Sequence, residues 1–295
     1  MTIQDKGGPR LLPAVVAVNI AALIFGTTAL FGRVEGSPVW IVAGRGFFAC
    51  LALCAVGAAR GLPMRLPAGR FARVALSALL LALHWIAFFT AVRIAGVAIG
   101  TLTAATFPLF TIVVEAMRWR RMPSLIQLGA GAAVIVAVAL ISEPAAAGAD
   151  AGSGAAIGLL AALLFAVFAL ISQDLAKDIN PVTLSMYQQG MVALLLLPAL
   201  PFAEPLQTAG DWLAIVALGV IGTALTHQLY LFALRSLPAS VCGGFVTLEP
   251  VYAIVFAQLL FGEAVRPLVL VSAPLIIGAS LLLLRVADGV AAAPD

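Results

Sequence analysis

The chain has 295 residues, of which 63% are hydrophobic and 10% are charged. A water-soluble domain carries roughly 25% charged residues, so this composition excludes an ordinary soluble fold. The mean hydropathy of +1.14 predicts that most of the surface faces the hydrocarbon of a bilayer. The net charge of +3 comes from basic residues in short segments between apolar runs, which argues against a nucleic-acid partner.

Ten apolar runs predict ten transmembrane helices. Charges, prolines and glycines divide the chain into stretches near the roughly 20 residues that cross a bilayer. The predicted spans are residues 11–32, 38–59, 71–92, 96–117, 122–142, 154–175, 181–203, 211–233, 239–260 and 267–286. The first run is too long for the apolar core of a signal peptide, so we expect it to be retained. The sequence therefore predicts an all-α integral membrane protein.

Basic residues predict the orientation of these spans, because cytoplasmic loops are enriched in Lys and Arg. With the N-terminus inside, the outer loops carry three basic residues, Arg33, Arg93 and Arg266. The cytoplasmic segments carry twelve: Lys6, Arg10, Arg60, Arg65, Arg70, Arg73, Arg118, Arg120, Arg121, Lys177, Arg235 and Arg285. Both termini are therefore predicted to be cytoplasmic.

The two halves of the chain resemble each other. Residues 23–33 read LIFGTTALFGR and residues 163–173 read LLFAVFALISQ, an offset of 140. Pro108 then matches Pro250 at an offset of 142. Matches that recur in order at nearly constant spacing indicate a duplication. We predict a first repeat in residues 1–145, a linker in 146–153, a second repeat in 154–286 and a cytoplasmic tail in 287–295.

Five helices per half is an odd number, so the second half enters the membrane from the opposite side. The halves are then inverted repeats. Secondary transporters use this architecture because two similar halves of opposite orientation give two similar states, one open to each side. Duplication for packing alone is the alternative interpretation.

Four segments resemble the EamA-type domains of the drug/metabolite transporter superfamily. They are residues 23–28 (LIFGTT), 45–48 (RGFF), 248–252 (LEPVY) and 260–263 (LFGE). The resemblance covers nearly the whole chain in two copies. Within the superfamily, the chain is similar overall to the YddG-type aromatic amino-acid exporters of the bacterial inner membrane.

This resemblance implies a secondary transporter that exports small, partly apolar solutes, aromatic and other amino acids among them, by alternating access. It also implies a bacterial inner-membrane location. A drug, metabolite or nucleotide-sugar carrier of the same superfamily is the alternative. A nucleotide sugar favours several basic cavity residues, and Arg45 is the one strongly basic residue deep in a predicted span.

Glu249 is the most informative single residue, because an ionised carboxylate near the middle of a span is costly. Pro250 follows it, and Pro108 occupies the matching place in the first repeat, so we expect kinks at both prolines. Glu249 either binds a substrate ammonium or carries a coupling proton, or else it stabilises the kink. Its repeat mate is Phe107, so the acid is not part of the symmetric scaffold.

Further residues on these helices are candidates to line a central substrate cavity with Glu249. They are Asn19, Arg45, His84, Trp85, Phe88, Thr103, Phe107, Tyr187, Gln188, His227, Gln228, Phe245 and Tyr252. Each histidine either lines the cavity or hydrogen-bonds a neighbouring helix. Arg45 either meets a substrate carboxylate or pairs internally. We expect Glu115, close to a helix end, to be interfacial.

Sequence motifs for catalysis are missing. The chain has no nucleotide-binding P-loop, no H-E-x-x-H zinc pair and no G-x-S-x-G elbow. We therefore predict no catalytic residue, no metal and no cofactor, and an intramembrane enzyme is the less favoured alternative. Cys50, Cys54 and Cys242 lie in apolar runs and fit as packing residues. The predicted partners are a small-molecule substrate and the lipid bilayer, and a chain that fuses both halves can work as a monomer.

Overall fold

The computed structural model describes residues 11–28, 36–141, 150–261 and 267–291. In these ranges the secondary structure is helical. The α-helices are α1 (Leu11–Thr28), α2 (Pro38–Ala59), α3 (Phe71–Ala104), α4 (Phe107–Arg118), α5 (Leu125–Ile141), α6 (Ala151–Asp178), α7 (Pro181–Leu196), α8 (Ala209–Gly219), α9 (Thr226–Leu234), α10 (Ala239–Val246), α11 (Glu249–Phe261) and α12 (Val269–Ala291). A 3-10 helix (Leu197–Phe202) follows α7, and a π-helix (Val220–Leu225) joins α8 to α9.

Parts of the sequence motifs and of the charge pattern lie outside the described residues. These are Lys6, Arg10, Arg33, Arg266, residues 262–263 of the LFGE segment, residues 146–149 of the predicted linker and residues 292–295 of the predicted tail.

Within the described ranges, five helical stretches are long and apolar enough to cross a membrane. They are Pro38–Ala59, Phe71–Ala95, Gly152–Asp178, Pro181–Phe202 and Ala209–Leu234. Three shorter apolar helices are Leu11–Thr27, Leu125–Leu140 and Leu270–Leu283. This helical content, without β-strand in the described residues, is that of an integral membrane protein.

The second helix of each repeat begins in the same way. α2 starts at Pro38 and is capped by the hydroxyl of Ser37, and α7 starts at Pro181 and is capped by the side chain of Asn180. Proline suits the first helical position because that residue's N–H would have no partner within the helix. A Ser or Asn oxygen before it accepts a free N–H of the first turn. Repeated start signals thus give the two halves repeated helix boundaries.

The third and fourth predicted spans are joined differently from the prediction. A loop was expected at residues 93–95, but the local backbone is helical up to Ala104. The chain nevertheless reverses between Ala91 and Thr103. An added Cβ on Gly158 would lie 2.8 Å from the Cβ of Thr103 and 3.6 Å from that of Ala91. A straight helix would separate those two residues by about 18 Å, so α3 folds back on itself.

The fourth and ninth predicted spans are each divided into two helices at matching positions. In the first repeat the helix ends at Ala104 and restarts at Phe107, with Pro108 in the first turn. In the second repeat the helix ends at Val246 and restarts at Glu249, immediately before Pro250. Proline is accommodated in a first turn without loss of a helical hydrogen bond. Each span is therefore interrupted rather than bent.

Helix packing follows a two-fold pattern. α3 packs mainly on α6, and the corresponding pair of the other repeat, α9 and α1, is also in close contact. α2 packs on α7 and α5 packs on α12, and each of these is a pair of repeat mates. Contacts between mates place those helices across the pseudo-symmetry axis of the duplication.

α2 and α7 run antiparallel across this axis. A Cβ added to Gly46 would lie 2.9 Å from the backbone oxygen of Gln189. Beyond the end of α2, the Thr183 hydroxyl donates a hydrogen bond to the backbone oxygen of Pro63 at 2.8 Å. Residues further along the first repeat therefore contact residues earlier in α7, as expected for antiparallel helices.

Charged contacts occur at the two ends of the bundle. At one end, Asp174 pairs with Arg73 at 2.9 Å and with Arg118 at 2.7 Å. At the other end, Arg93 donates to the backbone oxygen of Gly36 at 3.0 Å. These polar ends enclose an apolar middle, as expected for helices that span hydrocarbon.

The close contact at Gly46 yields a stability prediction. We expect Gly46→Ala to lower the thermal midpoint of the detergent-solubilised protein. The new methyl group meets the backbone of α7, and overpacking costs about 1–3 kcal/mol. Gly129→Ala in α5 is the matched control, because a Cβ there meets nothing within 4 Å. That control should leave the midpoint equal or higher, since alanine favours a helix over glycine. Equal effects of the two substitutions would contradict the α2–α7 packing.

Candidate functional site

Arg45 is buried in the middle of α2, with 5% of its surface exposed. Its Nε donates a hydrogen bond to the Thr223 hydroxyl at 3.0 Å, and its guanidinium carbon lies 4.0 Å from the ring centroid of Trp85. A cation inside a membrane bundle needs such partners, because hydrocarbon offers it none. The indole face of Trp85 attracts the positive charge, and the hydroxyl oxygen of Thr223 accepts a hydrogen bond from the guanidinium. Arg45 is thus held by groups from α3 and from the π-helix.

The π-helix is what makes Thr223 available to Arg45. The Thr223 hydroxyl donates to the backbone oxygen of Leu218 at 2.8 Å, which leaves its oxygen free to accept from Arg45. Gly219 just before the π-helix permits close approach to α2, because a Cβ there would lie 3.0 Å from the backbone oxygen of Arg45. Single π turns are frequent at functional sites. Thr223 was not among the candidates from the sequence. The one feature that could have pointed to it is a threonine in the middle of a span, close to two glycines.

Aromatic rings surround His227 next to this arginine. The imidazole lies edge-on to Trp85, with ring centroids 5.2 Å apart, and Phe25 and Phe168 stand at 6.0 and 6.1 Å. His227 is 1% exposed, and neither ring nitrogen has a hydrogen-bond partner among the described residues. The same holds for the hydroxyl of Tyr230. A buried polar group without a partner costs about 1–3 kcal/mol.

The second repeat supplies a carboxylate, that of Glu249. It is the first residue of α11 and is partly exposed. No direct ion pair joins it to Arg45 among the described contacts. A carboxylate at a helix N-terminus is also stabilised by the helix dipole. The sequence prediction of a mid-helix position is therefore corrected: Glu249 begins a half-helix. We call Arg45, Trp85, Thr223, His227 and Glu249 the central cluster.

His84, Phe88 and Phe107 form a second group beside the central cluster, around Phe165 of α6. The Nδ1 of His84 lies 2.8 Å from the backbone oxygen of Ala161, and the His84 ring lies 4.7 Å from that of Phe165. Phe88 stacks on His84 at 6.4 Å, and Phe107 meets Phe165 edge-on at 4.9 Å. His84 therefore bonds a neighbouring helix, whereas His227 does not.

Three other candidates hydrogen-bond protein groups away from the central cluster. Tyr187 donates to the backbone oxygen of Met64 at 3.1 Å, beyond the end of α2. Asn19 donates to the backbone oxygen of Val15 at 2.8 Å within its own helix. Thr103 donates to the backbone oxygen of Gly100 at 3.1 Å.

Gln188, the repeat mate of Arg45, is fully buried and links three helices. Its Nε2 donates to the hydroxyls of Ser77 and Ser172, at 2.9 and 3.0 Å. The last three candidates differ in burial. Phe245 is buried, Tyr252 is half-buried against the core, and Gln228 is half-buried.

Glu115 corrects one sequence prediction. It was expected at the membrane interface, but it is 3% exposed and accepts a hydrogen bond from the backbone N–H of Ser240 at 3.2 Å. Ser240 lies in the first turn of α10, where backbone N–H groups have no partner within the helix. The carboxylate is therefore buried to cap a helix that is distant in sequence.

The described residues offer no group of three or more metal-ligating side chains. The cysteines are free thiols. Cys50 and Cys54 are half-buried and Cys242 is buried. What the central cluster provides is one cation, one carboxylate and aromatic walls, which is the chemistry of binding rather than of bond cleavage.

Comparison with known proteins identifies the family. The profile of the EamA-like transporter family matches residues 12–143 and residues 152–285. The chain belongs to the EamA-like transporter family. It is accordingly a transporter of the drug/metabolite transporter superfamily and not an enzyme.

Individual relatives of this EamA transporter agree with the family. An uncharacterized transporter of Archaeoglobus fulgidus is 24% identical over 91% of this chain and 95% of its own length. Uncharacterized transporter YxxF of Bacillus subtilis is 30% identical over 38% of this chain, and the threonine/homoserine exporter RhtA of Escherichia coli is 26% identical over 44% of it. The matches span 36% and 44% of the lengths of those two proteins.

A solved structure shares the fold. A protein of known crystal structure superposes with a TM-score of 0.77 at 19% identity, over 93% of this chain and 99% of that one. At that identity the likeness concerns the helical architecture alone.

The arginine anchor yields a prediction about Thr223. We expect Thr223→Val to destabilise the protein by about 1–3 kcal/mol, because valine keeps the shape but leaves the buried Nε of Arg45 without its acceptor. The measurement is the thermal midpoint in detergent. Thr226→Val is the matched control, since the Thr226 hydroxyl donates to backbone oxygens of its own helical segment, at 2.7 Å to Gly222. A larger loss in the control would show that Thr223 does not hold Arg45.

Proposed function

We propose that this EamA transporter exports amino acids by alternating access and that the central cluster binds the substrate. One observation carries the proposal. A buried guanidinium, that of Arg45, and a partly exposed carboxylate, that of Glu249, come from opposite repeats, and no direct ion pair joins them among the described contacts. An amino acid is a zwitterion with a carboxylate and an ammonium close together. It can bridge the two side chains and neutralise both.

The free donors of Arg45 support the carboxylate half of this proposal. Among the described residues, Nε is the guanidinium nitrogen with a hydrogen-bond partner, which leaves the terminal nitrogens for a ligand. Two terminal N–H groups match the two oxygens of a carboxylate in a bidentate arrangement. Glu249 is partly exposed at the start of α11, where a substrate ammonium can approach it.

The rings around the cluster support a substrate with an apolar or planar side chain. Trp85, His227, Phe25 and Phe168 pack at ring distances between 5.2 and 6.1 Å. Binding sites for such solutes are mostly apolar with a few placed polar groups. The RhtA relative is named as a threonine/homoserine exporter, which agrees with an amino-acid substrate. Aromatic amino acids are therefore included in the proposed range.

The transport cycle proposed here requires ten spans arranged as inverted repeats. The antiparallel contact of the repeat mates α2 and α7 supports this arrangement, since an axis in the membrane plane relates antiparallel mates. The matching interruptions at residues 105–106 and 247–248 are suited to act as hinges. We place the chain in the bacterial inner membrane with both termini in the cytoplasm, and take the monomer as the working unit.

A planar drug or metabolite is the second candidate substrate class. The aromatic walls favour it, because they accept any flat apolar molecule. A substrate of that class would not need both charges, which separates it from an amino acid.

Counterflow in proteoliposomes tests the amino-acid proposal. Vesicles loaded with unlabelled phenylalanine and then diluted should transiently accumulate labelled phenylalanine. Glu249→Gln should reduce this rate by about tenfold or more, because it removes a charge-assisted hydrogen bond to the ammonium. Glu204→Gln should leave the rate unchanged, since that carboxylate is exposed at the bundle end, 3.9 Å from Arg93.

Three outcomes would contradict the proposal. Folded protein that accumulates no amino acid would withdraw the substrate class and favour the drug or metabolite alternative. Equal rates for Glu249→Gln and wild type would remove Glu249 from the site. Phenylalanine counterflow at the wild-type rate in Arg45→Lys would argue against a bidentate contact between Arg45 and the substrate carboxylate.

Cysteine labelling tests the orientation. In a variant without the native cysteines, Ser153→Cys should react with a membrane-impermeant maleimide in intact cells. Ala68→Cys should react only after permeabilisation, because the segment between α2 and α3 is predicted to be cytoplasmic. Both positions are exposed, so access to reagent is limited by the membrane alone. The reverse pattern would invert the proposed topology.

A further inference from the structure

His227 has a polar requirement that the protein does not meet. Both ring nitrogens are buried without a hydrogen-bond partner among the described residues. An imidazole carries at least one N–H donor, and in its neutral form also one acceptor. The side chain is 1% exposed, so bulk water and lipid do not supply the partner. A ligand that enters the bundle can supply it.

Several polar groups near the centre of the bundle do find partners within the protein. His84 bonds the backbone oxygen of Ala161, and the Nε of Arg45 bonds Thr223. Gln188 bonds two serine hydroxyls through its Nε2. These three side chains therefore find partners within the protein, whereas the imidazole of His227 and the hydroxyl of Tyr230 do not among the described residues.

The position of His227 relative to Arg45 indicates which part of a ligand it meets. His227 lies four residues after Thr223, on the same face of the helical segment, and its ring contacts the Trp85 that carries the guanidinium. A ligand held by Arg45 through its carboxylate places the rest of the molecule beside this imidazole. Two further aromatic rings beside it, Phe25 and Phe168, offer no hydrogen bond through their side chains.

The geometry points to His227 as the residue that selects amino acids carrying a hydroxyl on the side chain over their apolar isosteres. The inference rests on the proposed amino-acid function and adds its specificity. A hydroxyl entering beside the ring gains a hydrogen bond and satisfies a buried nitrogen. A methyl group in the same place leaves that nitrogen unpaired, and sites of this kind reject the analogue strongly.

Threonine and valine provide the sharpest test, because they differ by a hydroxyl in place of a methyl group. In counterflow with wild-type protein, the transport efficiency (maximal rate divided by half-saturation concentration) should be about tenfold or more higher for threonine than for valine. Tyrosine and phenylalanine form a second pair with the same single difference. Both comparisons use the unaltered protein, so they do not depend on the folding of a variant.

Variants then assign the preference to the imidazole. His227→Phe should bring the ratio of threonine to valine transport efficiency close to one, mainly by lowering the efficiency for threonine. His227→Asn retains a donor and an acceptor and should keep part of the preference. Thr226→Val, one residue away and bonded within its own helical segment, should keep all of it.

The outcomes separate this inference from the proposed function. Saturable transport of threonine and valine at equal efficiency by wild type would overturn the inference and leave amino-acid transport standing. So would a preference that persists in folded His227→Phe, since the selecting group would then lie elsewhere. Transport of no amino acid by folded protein would overturn both.

Discussion

The burial of one arginine is the constraint on which the central structure depends. Arg45 carries its charge into the apolar interior, where an unpartnered cation is too costly to keep. It is stabilised by a ring of α3 and a hydroxyl of the π-helix. These partners come from both repeats. The charge therefore ties the two halves together, and the π turn presents its acceptor, Thr223.

Divergence between the repeats turns a symmetric scaffold into a site. The mate of Arg45 is Gln188, which uses its amide to join α7 to the serines of α3 and α6. The mate of Glu249 is Phe107, which packs on Phe165. The first repeat thus supplies the cation and the second the carboxylate, while their counterparts provide packing. In the proposed function a zwitterion bridges these two groups, beside the unpartnered ring nitrogens of His227.

The spans predicted to begin at residues 38 and 181 do begin there, as α2 and α7. Ser37 and Asn180 cap these helices, and capping and the missing N–H of proline act within one turn. Glu115 was misplaced for the converse reason. Its acceptor role is set by Ser240, 125 residues away in sequence, and no local pattern reports such a neighbour.

The sequence by itself determined that the chain is a helical membrane protein, that it is duplicated and to which superfamily it belongs, because hydropathy, repeated motifs and helix-start signals are properties of short segments. It also singled out Arg45 and Glu249, since charges inside apolar runs are conspicuous. Only the tertiary structure decided that these two share one cluster, that Thr223 holds the guanidinium and that His227 lacks a partner while His84 has one. Hydrogen bonds between Arg45 and a residue 178 positions away depend on how helices pack, which hydropathy does not encode.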